Sequence, residues 1–514
     1  MLAQPHNASI DLSTKPDGNN MHTGINKNTP LYIAPANPAG RKLAKRLRSA
    51  GYCVNGFVDN LKQGDDIVND VAHFPATAKV VLHKATYTDN VAAGLLQRQF
   101  KQKRLWLCHD DDGSPLSTAS STQPEHTAAC NISFARYALP LSYRLNKLLF
   151  AICSRLFWMA RLTTPKRRYL YYAEGFFDTN VLLAYREHKR QFANEPFLLG
   201  INLKQKISEL DEDKEKFEKL SLKVLWRICC ARRIIVDHEY TGDTFRLLRK
   251  RIPVVQLWHG LPYKALSGNR HYPDICDEVF VSSSDWFNKE IFPKIFRAKA
   301  YLSLGYPRND AFSQSPMLRD WINAEPYNTL QQIQKNAGDI IVYAPTYRDW
   351  GNNEYPLDLA AIDTWCRKHN RAFVLKFHPF ISRLFGEAMG LTENNALQQL
   401  PSYPNIYLYP SGKNIYPWLA QSYALVTDYS SIAYDFLLSD KPIVYFQYDK
   451  EEYLKLRGET LVSDSDFIAG EVVESTEEML TALGNTKPHS SALKMKFGMK
   501  NQLASEQICR LVRD

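Results

Sequence analysis

Apolar residues along this chain recur in two patterns, short runs of strand length and longer stretches at helical spacing, with polar clusters between them. The first clear signals are Leu31-Tyr-Ile-Ala as a strand, residues 39–50 as a basic helix, and residues 52–58 as a second strand ending at Asp59. Apolar runs at 80–82 and 105–108 extend this βαβ opening, which predicts a Rossmann-like accessory domain over 30–113. Its turn, Pro35-Ala-Asn-Pro-Ala-Gly40, lacks the GxGxxG spacing that lets a backbone approach a pyrophosphate, so the unit reads as structural, with nucleotide binding as the alternative. Residues 1–29 are polar and aperiodic and read as a disordered leader, and 114–136 reads as a linker that opens on Ser, Thr, Ala and Pro.

Residues 137–166 predict a basic amphipathic helix. Leu141, Leu145, Leu148, Leu149, Ile152, Leu156 and Met159 fall on one stripe, with Arg144, Lys147, Arg155 and Arg161 towards the other side. Between Arg136 and Arg168 there are eight Lys or Arg residues and no Asp or Glu. Such a helix suits an anionic headgroup plane, and it equally suits packing on its own protein with a cationic rim.

From Arg167 onward, strands and helices alternate in two series that break near 307–337. The pattern predicts an α/β class with two Rossmann-like lobes, the first over 167–330 on the acceptor side and the second over 331–514 on the donor side. A site is expected between them at the carboxyl ends of the strands.

At 514 residues, the chain is long enough for two or three units with their own cores. With 45% hydrophobic and 23% charged residues it has the balance of a globular protein. Nine cysteines without a CxxC pair, and a start lacking a signal-peptide pattern, favour a reducing cytoplasm and disfavour zinc. The net charge of +10 suits an anionic partner, but the cations gather around 136–168 rather than in an aromatic-interleaved face, which argues against nucleic acid.

The candidate chemistry sits on loops that follow strands. Residues 254–258 run into His259-Gly260-Leu261-Pro262-Tyr263-Lys264, which places an imidazole, able to accept a proton near neutrality, beside a glycine. Lys376-Phe-His378-Pro repeats the arrangement in the second lobe and adds a cation. In Thr427-Asp428-Tyr429-Ser430-Ser431, two hydroxyls at a predicted helix start would meet a diphosphate, and Asp435 one turn on would accept two ribose hydroxyls. Gly305-Tyr-Pro-Arg308-Asn-Asp and Tyr343-Ala-Pro-Thr346-Tyr-Arg348-Asp each offer an arginine, either to phosphate or to a surface salt bridge.

These five motifs, in this order, resemble the CDP-glycerol glycerophosphotransferase family of teichoic-acid primases and polymerases, over roughly residues 167–461. The resemblance implies a glycosyltransferase-B-like fold and a peripheral enzyme on the inner face of a bacterial membrane. It further implies transfer of glycerol phosphate or ribitol phosphate from a CDP-polyol to a lipid-linked or saccharide acceptor, with release of CMP. His259 and His378 are then the expected catalytic residues. Gly260, Lys264, Arg308, Thr346, Arg348, Lys376, Thr427, Asp428, Ser430, Ser431 and Asp435 are the expected donor and phosphate contacts. No cofactor is expected, and a divalent cation at most assists. A sugar transferase of the same fold using a nucleotide sugar is the alternative. The chain departs from the family pattern at Leu261-Pro262-Tyr263 and at Glu459-Thr460-Leu461, which leaves the polyol and the acceptor open.

Overall fold

The computed structural model describes the chain from residue 25 onward except for 37, 59–66, 69–76, 83–90, 93–94, 96–104, 110–132, 137–140, 175–178, 202–213, 217–221, 241–242, 265, 267–275, 314–320, 322–323, 349–354, 392–395, 458–459, 486–490 and 500–502. The expected leader up to residue 24, most of the expected linker, Asp59 and Glu459 lie outside the described residues. The chain divides into two compact units, Met1–Met159 and Ala160–Asp514.

In the first unit, β1 (Leu31–Ala34), β2 (Val54–Val58), β3 (Ile67–Val68), β4 (Lys79–Leu82), β5 (Leu105–His109) and β6 (Ser133–Arg136) form one sheet in the order β3-β2-β1-β4-β5-β6. The helix Pro38–Ser49 turns Leu43, Ala44 and Leu47 onto Leu31, Ile33 and Phe57, so the expected basic helix buries an apolar face. Two readings need correction. Residues 25–29 form a hydrogen-bonded turn held by Asn26 and Thr29 rather than continuing a disordered leader. The end of the expected linker is β6, which pairs antiparallel with β5 and sets Phe134 edge-on to Tyr52 at 5.1 Å.

The basic helix spans Leu141–Thr163. Its stripe faces outward, with Leu141, Leu145, Leu148, Ile152, Leu156 and Met159 each between 48% and 71% exposed. Among the described residues, no helix is long and apolar enough to cross a membrane. Arg161, expected on the polar side, is instead buried in the second unit, where Nη1 donates to the Cys229 carbonyl at 2.8 Å.

The second unit holds two seven-stranded sheets. The first lobe contains β7 (Arg168–Glu174), β8 (Pro196–Ile201), β9 (Lys214–Lys216), β10 (Ala231–Val236), β11 (Val254–Gln256), β12 (Asp277–Ser282) and β13 (Ala298–Ser303), all parallel, in the order β13-β12-β11-β10-β7-β8-β9. The second contains β14 (Asp339–Tyr343), β15 (Arg371–Leu375), β16 (Gln398–Leu400), β17 (Tyr403–Leu408), β18 (Ala424–Thr427), β19 (Ile443–Phe446) and β20 (Glu471–Val473), ordered β16-β17-β15-β14-β18-β19-β20. Only β16 runs antiparallel in that sheet. Central strands such as Ala424–Thr427 are buried along their whole length, because helices cover both faces of a parallel sheet. The short edge strands β9, β16 and β20 lack such apolar runs and escaped the sequence reading.

The last helix, Ala504–Arg513, belongs to the first lobe, packing on the helix Thr179–Gln191. Buried Asp310 accepts from the backbone N–H groups of Ala504 and Ser505, satisfying donors that a helix start leaves open. Arg233 grips the Val512 carbonyl at 2.6 Å, and Arg513 pairs with Glu195 at 2.9 Å.

Candidate active site

The site grows from strand ends that neighbour one another within each sheet. In the first lobe, β11 ends at Gln256, and the chain then turns sharply, with Trp258 at φ 50° and Gly260 at φ 147°. Gln256 fixes that turn from below: its side-chain oxygen accepts from Trp258 N–H, and its amide donates to the His238 carbonyl on the adjacent loop. Buried Asn180 does the same from the side, donating to the Trp258 carbonyl at 2.8 Å.

This turn presents His259. Its Nδ1 lies 3.0 Å from the Asp237 carbonyl oxygen. A carbonyl can only accept, so Nδ1 carries the hydrogen and the lone pair of the neutral ring is on Nε2. Gly260 then lets the backbone approach the second lobe: a Cβ there would stand 2.9 Å from Arg308 Nη2 and 3.1 Å from Ser431 Oγ. The HGLPYK loop therefore faces the TDYSS motif directly. Further along, Lys264 pairs with Thr460, and the Tyr263 carbonyl accepts from Leu461 N–H at 2.8 Å. The two segments that depart from the expected family pattern thus lie against each other. Tyr263 also stacks on Phe467 at 4.0 Å and donates to Asp464.

In the second lobe the motifs follow β15, β14 and β18, three adjacent strands. His378 is exposed after β15, its ring stacked on Tyr347 at 4.4 Å. Half-buried Lys376 lies two residues before it, with Nζ 5.6 Å from the Tyr409 ring centroid. Burial lowers the Lys376 pKa to about 8. Burial also lowers that of His378, and the Lys376 charge lowers it further. Ser430 and Ser431 are partly exposed, and the helix they introduce, Ile432–Phe436, is only five residues long, so its dipole is weaker than the sequence suggested.

Several expected donor contacts serve the fold instead. Arg348 was expected to offer its guanidinium to phosphate, but it is buried between two carboxylates. Nη1 reaches Asp428 at 2.6 Å, while Nε and Nη2 fork onto Asp449 at 2.8 and 3.0 Å. Burial opposes its charge, but Asp428 and Asp449 prevail and hold its pKa above the ordinary value. Asp428 also accepts from Thr346 N–H, and Thr427 Oγ1 donates to the Ala344 carbonyl, so these two residues bind the lobe's own loops. Asp435, expected at a ribose, is fully buried with both oxygens engaged. Oδ2 takes Arg308 and Tyr416, each at 2.6 Å, and Oδ1 takes Asn309 at 3.0 Å. Arg308, expected on phosphate, instead bridges the lobes from the His259 carbonyl to Asp435.

The sequence reading missed Asn180, Asp237, His238, Gln256 and Tyr416. Asp237 and His238 immediately follow β10, the same kind of position that singled out His259, and a search of every strand end for polar residues would have found them.

The model of the family described as CDP-glycerol:poly(glycerophosphate) glycerophosphotransferase matches residues 161–507, about two-thirds of the chain and nearly all of its second unit. The chain belongs to this glycerophosphotransferase family. Relatives include a teichoic acid poly(ribitol-phosphate) polymerase of Bacillus spizizenii, 23% identical over 54% of this chain and 44% of its own length. A teichoic acid poly(glycerol phosphate) polymerase of the same organism is 25% identical over 60% of this chain and 80% of its own. The chain thus spans less than half of the first relative and four-fifths of the second. Among solved structures, that of the wall teichoic acid polymerase TagF superposes with a TM-score of 0.53 at 18% identity, covering 72% of this chain and 95% of that one. A TagF variant soaked with CDPG gives 0.51 over 73% and 98%. The two-lobed fold of the second unit is that of this glycerophosphotransferase family.

Proposed function

We propose that this protein transfers a polyol phosphate, glycerol phosphate or ribitol phosphate, from a CDP-polyol to a hydroxyl of a lipid-linked or saccharide acceptor in cell-envelope polymer synthesis. The observation that carries this reading is the His259 imidazole, held with its lone pair on Nε2, on a loop that Gly260 brings against Ser431. In the proposed step, the acceptor oxygen attacks the phosphorus next to the polyol and Nε2 of His259 takes the hydroxyl proton. The bond to the CMP phosphate oxygen breaks, and CMP leaves. Lys376 and His378 follow β15, and Ser430 and Ser431 follow β18, the two strands that flank β14, so they would meet the diphosphate from the same end of the sheet and catalysis would rest on positioning and charge stabilisation. A divalent cation at most assists.

The outward apolar stripe of the helix Leu141–Thr163, with exposed Arg144 and Arg155, supports peripheral binding to an anionic membrane at its cytoplasmic face.

The test is acceptor-dependent CMP release from CDP-glycerol and CDP-ribitol by the full chain. His259→Ala should cut turnover by about 10²- to 10⁴-fold while donor binding survives. Full activity in that variant would remove His259 from the chemistry, and release only from a nucleotide sugar would reassign the donor.

A further inference from the structure

His259 does not stand alone in the first lobe. His238, one residue beyond the strand-end Asp237, lies face to face with it at 4.4 Å between ring centroids and 14° between planes. Asp237 holds both rings with different groups. Its buried carboxylate takes His238 Nδ1 at 2.8 Å through Oδ1 and Val181 N–H at 3.1 Å through Oδ2, and its backbone carbonyl takes His259 Nδ1. The two imidazoles therefore differ in the partner of Nδ1: His238 donates to a charged carboxylate and His259 to a neutral carbonyl.

A hydrogen bond to a carboxylate favours the protonated ring, whereas one to a carbonyl gives far less. Once His238 carries a proton, a second proton on His259 would place two like charges 4.4 Å apart. We propose that His238 is a positioning residue for the base: Asp237 clamps its ring flat against His259, and the stacked pair takes its first proton on His238, which keeps His259 neutral and able to accept one.

The other groups around the pair fit this division. Tyr240 lies 6.1 Å from the His238 ring, and Glu239 is paired with Arg249 at 3.5 Å. Trp258 flanks His259 at 4.1 Å, Asn180 holds the Trp258 carbonyl, and Arg308 donates to the His259 carbonyl. From the second lobe, the neutral Ser431 hydroxyl faces Gly260. The Asp237 carboxylate bonds to the pair at His238.

The proposal builds on the reading of His259 as the base, but it can be tested without turnover. In the full chain labelled with ¹³C-histidine, NMR titration should show His238 protonating at higher pH than His259. In His238→Phe, which keeps a flat ring but no proton, the His259 midpoint should rise by about one pH unit. His238→Gln, which can still donate to Asp237, should shift it in the same direction, and it supplies the readout if the Phe variant does not fold. An unmoved His259 midpoint, or His259 protonating before His238, would overturn the proposal. In parallel, the acid limb of kcat/KM for CMP release should rise with the NMR midpoint. A shifted NMR midpoint with an unshifted acid limb would leave the pairing intact and remove His259 from the rate-determining proton transfer.

Discussion

Arg308 and Asp435 meet at 2.6 Å, the carboxylate fully buried and the guanidinium 8% exposed, and the same arginine holds the carbonyl of His259. The pair thus joins the crossover between the lobes to the loop that carries the candidate base. Asp435→Ala would leave Arg308, Asn309 and Tyr416 without their shared acceptor. Breaking a buried pair in this way costs about 3–5 kcal/mol, which urea unfolding should detect. Replacing both partners, as Arg308→Met with Asp435→Leu, should recover part of that stability without restoring activity, because the His259 carbonyl would still lack its donor.

Arg348 makes three charged hydrogen bonds to two carboxylates in a fixed fork, a geometry that an ammonium cannot reproduce. Arg348→Lys should therefore lower the melting temperature and weaken donor binding. The first lobe does not depend on this fork, so the His259 and His238 resonances should keep their shifts.

Lys376 gives a pH dependence of definite sign. Its ammonium is held at a pKa of about 8 by burial, below the ordinary lysine value. From there up to that ordinary value, the unfolded chain binds the extra proton and the folded chain does not, so without donor this group makes stability rise with pH. Donor binding should show the opposite trend. A diphosphate favours the charged lysine, so affinity should fall as pH rises through about 8. Titration calorimetry across that range checks it, and Lys376→Met should bind the donor weakly at every pH and lose the slope.

The exposed stripe of the helix Leu141–Thr163 predicts sedimentation with anionic vesicles that weakens with added salt. Leu148→Glu with Leu156→Glu should abolish it and leave turnover on a soluble acceptor within about twofold, since both side chains are exposed to solvent.

Much of this was legible in the sequence because parallel strands buried on both faces read as apolar runs, and the motifs follow those runs immediately. Val254-Val-Gln and Ala424-Leu-Val-Thr stand out as apolar runs, and His259 and Ser431 follow them within a few residues. What stayed hidden was the occupancy of charged groups. Arg348 in a motif looks the same whether it reaches a phosphate or two internal carboxylates, and its partners Asp428 and Asp449 lie 80 and 101 residues away. Asp435 hides its partner for the same reason, since the crossover arginine bonded to it lies 127 residues earlier. Residues 133–136 carry a single large apolar side chain, too weak a signal to read as a strand.

The return of the helix Ala504–Arg513 to the first lobe sets an order of events during synthesis. The strands of that lobe are complete at Ser303, yet the segment that covers the helix Thr179–Gln191 and satisfies Asp310 leaves the ribosome about 200 residues later. At translation rates of about 5–20 residues per second, the nascent lobe waits roughly 10–40 s with that face open, and this is the interval in which a chaperone would meet it.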